Sequence, residues 1–195
     1  RTLETITGVT DENGLFQFEL PLKSYFAGKP IHLGNAAVRM VAEVKDQTGE
    51  SQTISREYPI TIYPLRVQAF PESGELVQGV RNKVYLIASF ADGSPAPNVN
   101  IHTGGASNLK TNEFGIAEVI LHKGAKNQLT VSARHEETGY ERRTVLELDQ
   151  NEEEDGILLR SDRPVYREGE TVNIEVLSGT FAHRVFIDVI KNGQS

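Results

Sequence analysis

The sequence predicts an all-β chain of tandem sandwiches, and three observations lead there. Apolar and polar residues alternate in short runs: Phe16-Gln-Phe-Glu-Leu20, Val38-Arg-Met-Val-Ala-Glu-Val44, Val84-Tyr-Leu-Ile-Ala88 and Leu129-Thr-Val-Ser-Ala133. Period-2 alternation puts every second side chain on one face of a strand, and turn-forming Gly, Pro, Asn and Asp punctuate the runs. No stretch keeps apolar residues at helical spacing for long enough to make a long helix. Finally, the chain repeats itself: Thr10-Asp-Glu-Asn-Gly-Leu-Phe-Gln-Phe-Glu-Leu returns as Thr111-Asn-Glu-Phe-Gly-Ile-Ala-Glu-Val-Ile-Leu. Two copies of one supersecondary unit imply two domains of one type.

The elements follow in order. Residues 1–64 hold the first copy, with Gly14 supplying the corner and Phe16, Phe18 and Leu20 alternating after it. The second copy matches it with Gly115 and then Ala117, Val119 and Leu121. A further strand and a Thr-Gly turn follow each copy, Thr48-Gly49 and Thr138-Gly139. Tyr63-Pro64 punctuates the chain before the alternation restarts at Leu65. Residues 65–149 hold about seven strand candidates, the number of a complete immunoglobulin-like sandwich. Its inward face is expected to be Leu65, Val67, Val84, Leu86, Ala88, Phe90, Val99, Ile101, Ala117, Val119, Leu121, Leu129, Val131 and Ala133. At roughly 1.5–3 kcal/mol for each large aliphatic buried, such a core offsets much of the ordering entropy without metal or disulfide.

Residues 150–156 form an acidic linker, and 157–195 begin a third unit with strands expected at Thr171–Leu177 and Val185–Ile190. Asn192-Gly193 after them is a hairpin turn signal. The organisation is therefore one complete sandwich between two partial ones, residues 1–64 being the C-terminal part of a unit and 157–195 the N-terminal part.

Composition narrows the function. A net charge of −7 with scattered Lys and Arg argues against a phosphate-binding surface, and so against nucleic acid. No apolar run approaches the roughly 18 residues of a membrane-spanning helix, so no direct membrane insertion is expected. With no cysteine, disulfide scaffolds, thiolate metal sites and cysteine nucleophiles drop out together. The histidines His32, His102, His122, His135 and His183 lack the close spacing of a zinc site and read as strand-end or surface residues. His102 and His122 are the one pair placed to meet across a sheet. In the run Asp149, Glu152, Glu153, Glu154, Asp155 the last four are consecutive and lack the alternate-position ligands of a calcium loop, so it reads as a solvated, self-repelling linker, with a calcium site as the lesser alternative. No Gly-x-Ser-x-Gly elbow occurs, and Gly104-Gly105 lacks the Lys of a phosphate loop. The expectation is no enzyme activity, no cofactor and no metal, with no site residue to nominate.

One stretch points further: Ser161-Asp-Arg-Pro-Val-Tyr-Arg-Glu-Gly-Glu-Thr-Val, followed by Asn173-Ile-Glu-Val176. It is similar to the Asp-x-Pro-x-Tyr-x-x-Gly-x-x-Val pattern that opens macroglobulin-like modules in the alpha-2-macroglobulin family of protease traps, with Asp162, Pro164, Tyr166, Gly169 and Val172 in those positions. Phe70-Pro-Glu-Ser-Gly-Glu-Leu-Val-Gln-Gly-Val-Arg-Asn-Lys-Val84, Asp92-Gly-Ser-Pro-Ala-Pro97 and Gly115-Ile-Ala-Glu-Val119 resemble an internal domain of the same kind. In that register the three units are similar to the third, fourth and fifth such domains of a bacterial member. The resemblance implies macroglobulin-like sandwiches within a secreted or periplasmic inhibitor, extracytoplasmic in a bacterium. Its partners would be the other domains of the same chain and, through the whole protein, proteases. The family's Cys-Gly-Glu-Gln thioester and bait segment are absent, so no chemistry carries onto a residue here. The alternatives are a tandem immunoglobulin-like surface protein, such as an adhesin or stalk, and an accessory domain of a polysaccharide enzyme. The last would need an exposed aromatic platform in a chain without Trp.

Overall fold

The computed structural model describes residues 3–23, 26, 35–104, 106–151, 156–179 and 184–190. The chain divides into two compact units, residues 1–62 and 63–195.

In the first unit β1 (Ala36–Lys45) and β2 (Ser51–Ile60) form an antiparallel hairpin in continuous register from Ala36↔Ile60 to Lys45↔Ser51. The turn between them is closed by Asp46. Its Oδ1 accepts from the N–H groups of Thr48 (2.8 Å) and Glu50 (2.9 Å), while the Gly49 N–H donates to the Asp46 carbonyl. The Thr48 hydroxyl bond above all, together with these amides, holds the Asp46 carboxyl below its usual range. The same turn is built at Asp11–Leu15 and at Asn112–Ile116. Thus an Asp or Asn followed three residues later by Gly is one local device used three times.

The second unit contains a two-sheet sandwich. β3 (Leu65–Pro71), β4 (Asn82–Phe90) and β7 (Ile116–Leu121) form one antiparallel sheet in the order β3-β4-β7. β5 (Val99–Thr103), β6 (Ala106–Lys110), β8 (Gln128–His135) and β9 (Glu141–Glu147) form the other, in the order β6-β5-β8-β9. Alternation along each strand sends one face inward, and the register stacks the inward residues on each other: Ala69↔Leu86↔Ala117, Val84↔Val119, Ile101↔Ala133 and Thr103↔Val131. The core so formed contains the expected inward residues, with Phe90 and Leu121 only partly covered, and it adds Leu76, Ala96 and Leu148 from the connections. A short hairpin of β10 (Ile157–Ser161) and β11 (Ile174–Ser178) completes the unit.

Three local expectations are corrected. Phe16–Leu20 and Val185–Ile190 belong to no strand, and Phe16, Phe18, Phe186 and Val189 are exposed. Alternation defines two faces but supplies no ladder, and among the described residues neither segment has a neighbouring strand to bond. The strand expected from Thr171 begins at Ile174, because 162–173 is spent on the loop described below. The two Thr-Gly turns also differ. Where Asp46 closes the first, the His135 ring closes the second: its Nδ1 lies 2.9 Å from Thr138 Oγ1 and accepts from the Thr138 N–H at 3.2 Å. His135, expected at a strand end or surface, ends β8 but is buried there, edge-on to Phe90 with ring centroids 5.1 Å apart. The turn of Asn192-Gly193 lies outside the described residues.

Candidate interaction site at the sandwich edge

The site begins with the β3–β4 connection, residues 72–81. Left-handed backbone at Gly74 and Gly79 (φ +87° and +74°) folds it back on itself. Asn82, the first residue of β4, is buried and ties the loop down. Its Oδ1 accepts from the Val77 N–H at 2.8 Å, and its Nδ2 donates to the carbonyls of Val77 (2.9 Å) and Val80 (3.3 Å). A buried amide is retained only when its donors and acceptor are matched, and here all serve the loop. The connection also receives the chain leaving β9. The Leu76 N–H donates to the Asp149 carbonyl, the Asn151 N–H donates to the Leu76 carbonyl, and Gln78 Nε2 reaches the Asn151 carbonyl. Leu76 points into the main core, whereas Val77 and Val80 belong to a second apolar cluster with Leu158, against which Leu177 packs.

The β10–β11 hairpin meets this loop through one face. Leu158 and Arg160, two residues apart, share that face, with Leu177 and Glu175 as their cross-strand partners. Arg160 Nε donates to Glu72 Oε2 at 2.8 Å and Nη2 donates to Glu72 Oε1, a two-pronged pairing matched to carboxylate geometry. Nη1 donates to Glu175 Oε2 at 2.8 Å, and Nη2 also reaches the Arg81 carbonyl. Only 19% of the Arg160 side chain and 11% of that of Glu72 remain exposed, so water screens this pair poorly. Glu72 is itself fixed from the sandwich side, since the Lys83 N–H donates to its Oε1 at 2.9 Å. Burial pushes the Glu72 carboxyl up, but the hydrogen bonds from Arg160 and Lys83 outweigh it and leave it below its ordinary value. The Arg160 guanidinium is raised, chiefly by its bond to Glu72.

A depressed carboxylate contributes stability that is complete above its unfolded value, about 4.5, and is lost as pH falls through the folded value. Glu72→Gln should therefore lower stability at neutral pH by about 1.5–3 kcal/mol, the range for hydrogen bonds to charged groups. Melting curves of the two proteins should converge on acidification below that value. A gap that stays constant down to pH of about 3 would remove Glu72 as the source.

The stretch that carries the family resemblance forms the loop between β10 and β11. The Tyr166 hydroxyl donates to Asp162 Oδ1, which also accepts from the Asn173 N–H, while Asn173 Nδ2 donates to Oδ2. The Arg163 guanidinium stacks over the Tyr166 ring and bonds Glu170 at 3.2 Å. Gly169, at φ +84°, turns the chain back. The Tyr166 bond first, then those from Asn173, hold the Asp162 carboxyl low. Asp162, Tyr166 and Gly169 thus close a loop, and their hydrogen bonding is spent within it.

The remaining sequence candidates stay apart. His102 lies on β5 opposite Ser132, whereas His122 follows the end of β7, a strand of the other sheet. Asp149 is described at the edge of the connection, whereas Glu152, Glu153, Glu154, Asp155, His32, His183 and Gly105 lie outside the described residues. Among the described residues no group of three or more His, Asp or Glu gathers as a metal would require, and no helix is long and apolar enough to cross a membrane. Sequence reading missed Glu72, Asn82 and Arg160. The only signal was the Val77-Gln-Gly-Val80 stretch, too short to show a period.

No protein-family model matches this chain, and no curated protein matches it.

Proposed function

We propose that this chain is a non-catalytic structural and interaction segment of an alpha-2-macroglobulin-like protease trap, secreted or periplasmic in a bacterium. In this reading tandem immunoglobulin-like sandwiches make up part of the rigid body that encloses a protease. The observation that carries it is the work done by the resembling residues: Asp162, Tyr166 and Gly169 close the loop of the β10–β11 hairpin, an architectural role. The immunoglobulin-like assignment is supported by seven strands split three and four between sheets, with the chain crossing over at β4–β5, β6–β7 and β7–β8. The partners are the neighbouring domains of the same chain and, through the whole protein, proteases. No nucleic acid, cofactor or metal takes part.

The test uses the full-length protein that carries this segment. Mixed with an endopeptidase, it should block cleavage of large protein substrates while small peptides are still cut, because a caged protease keeps its active site. An endopeptidase that digests large substrates at an undiminished rate would reject the reading. The sequence of that protein gives a cheaper check, since a downstream Cys-Gly-Glu-Gln would support it and wall-anchor repeats would favour the surface-stalk alternative.

A further inference from the structure

We propose that the β3–β4 connection is a docking socket whose fitting partner is the opening hairpin of a following β-module, one that presents an apolar residue and, two positions on, an arginine. Here those residues are Leu158 and Arg160. The socket rests on reading the β10–β11 hairpin as the start of a following module and stands apart from the protease-trap reading.

Its parts are fixed from the sandwich side. Asn82 clamps Val77 and Val80, and the backbone of Lys83 holds Glu72 in both directions: the Glu72 N–H donates to the Lys83 carbonyl, and the Lys83 N–H returns to the carboxylate. An apolar pair and an oriented carboxylate therefore stand ready on a loop that belongs to the sandwich core through Leu76. Preorganisation of this kind lowers the ordering entropy lost when a partner docks.

The hairpin supplies the complement. The i, i+2 spacing sends Leu158 and Arg160 to the same face, and Glu175 opposite Arg160 takes up the guanidinium nitrogen that Glu72 leaves free. The other face, with Ile157 and Leu159, stays exposed, so it is the Leu158–Arg160 face that is selected. Two close approaches set the distance of closure. A Cβ on Gly79 would stand 2.6 Å from the Gly179 Cα, and a Cβ on Gly156 would overlap the Val77 side chain. A wrong partner meets rejection on two counts, since a side chain in place of Gly156 would run into Val77 and a carboxylate in place of Arg160 would face Glu72 and Glu175. Seating of this kind makes a stiff joint between the hairpin and the sandwich.

Because the chain has no cysteine, two introduced ones can be spin-labelled uniquely. Thr130→Cys on β8 and Val165→Cys in the hairpin loop are both exposed positions outside the socket. Pulsed spin-resonance distances across the 195-residue chain should give a single narrow peak. Arg160→Met keeps the side-chain stem and removes the charge, and it should lose that peak to a broad distribution while circular dichroism still reports a folded sandwich. Should Arg160→Met fail to fold, Glu72→Ala, which empties the socket from the other side, must lose the peak in its place. A narrow peak that survives in the folded variant overturns the proposal, as does a broad distribution in the unaltered chain.

Discussion

Leu86→Ala should lower the stability of the sandwich by about 3–5 kcal/mol, the upper part of the range for large-to-small core changes. Leu86 is fully buried in the middle strand of the β3-β4-β7 sheet. Its cross-strand neighbours on the same face are both alanines, Ala69 and Ala117, so this one side chain fills the width that two small ones leave open. Backbone hydrogen bonds on both sides of β4 hold the strand in place, and the walls of the vacated space have little freedom to collapse. With a typical domain stable by only about 5–15 kcal/mol, a loss of that size is a large share of the whole.

Without Trp, the probe is far-UV circular dichroism or tyrosine emission, Tyr85 lying beside Leu86 on β4. Urea titration should move the midpoint of the sandwich transition down with its slope unchanged, because the surface exposed on unfolding hardly alters. Ile120→Ala on the neighbouring β7 is the control. Ile120 is 44% exposed and should shift the midpoint little. Equal effects of the two substitutions would mean that Leu86 does not fill the core as described.

The inward set around Leu86 was legible because strand periodicity reports it directly. Leu65, Val67, Val84, Val99 and Ile101 were all expected inside and are buried. What periodicity could not report lies in the connections. Leu76, Ala96 and Leu148 fill the core from segments that have no alternation. Arg160 and Glu72 lie far apart in sequence and meet only because the chain leaving β9 returns along the β3–β4 connection. The internal repeat carried a different limit. Thr10 and Thr111 open the same motif, yet Thr10 is exposed while Thr111 is buried, its hydroxyl donating to the Ala96 carbonyl and accepting from the Val99 N–H. A local motif fixes the turn it makes, and what packs over that turn is decided by residues distant in sequence. The same gap separates Phe16 and Phe18, which are exposed, from their counterparts Ala117 and Val119, which are buried.

That distinction sets up the second large effect, at a pair of glycines in the same position of the same turn. Gly14 and Gly115 both take φ of +75°, a left-handed conformation in which a Cβ costs about 1–2 kcal/mol. Around Gly14 a Cβ would meet nothing within 4 Å, so Gly14→Ala should lose only that much. Gly115 is buried where the entry to β7 passes under β4. A Cβ there would drive into the carbonyl oxygen of Ala88 and come within 3.0 Å of the Ala96 nitrogen. Neither atom can yield alone, because the Ala88 carbonyl accepts from the Ala96 N–H and the Ala88 N–H donates to the Gly115 carbonyl at 2.8 Å. Relieving the overlap means breaking one of these buried bonds, at about 1–3 kcal/mol, or shifting the backbone of a packed sheet at a similar penalty. Gly115→Ala should therefore destabilise the sandwich by about 2–5 kcal/mol, the sum of these terms. In native-state hydrogen exchange the Ala88 and Ala96 amides should lose protection first, ahead of the rest of β4. A Gly115→Ala protein as stable as the Gly14→Ala protein, with both amides still protected, would show that the corner has room for a side chain and that its glycine serves the turn alone.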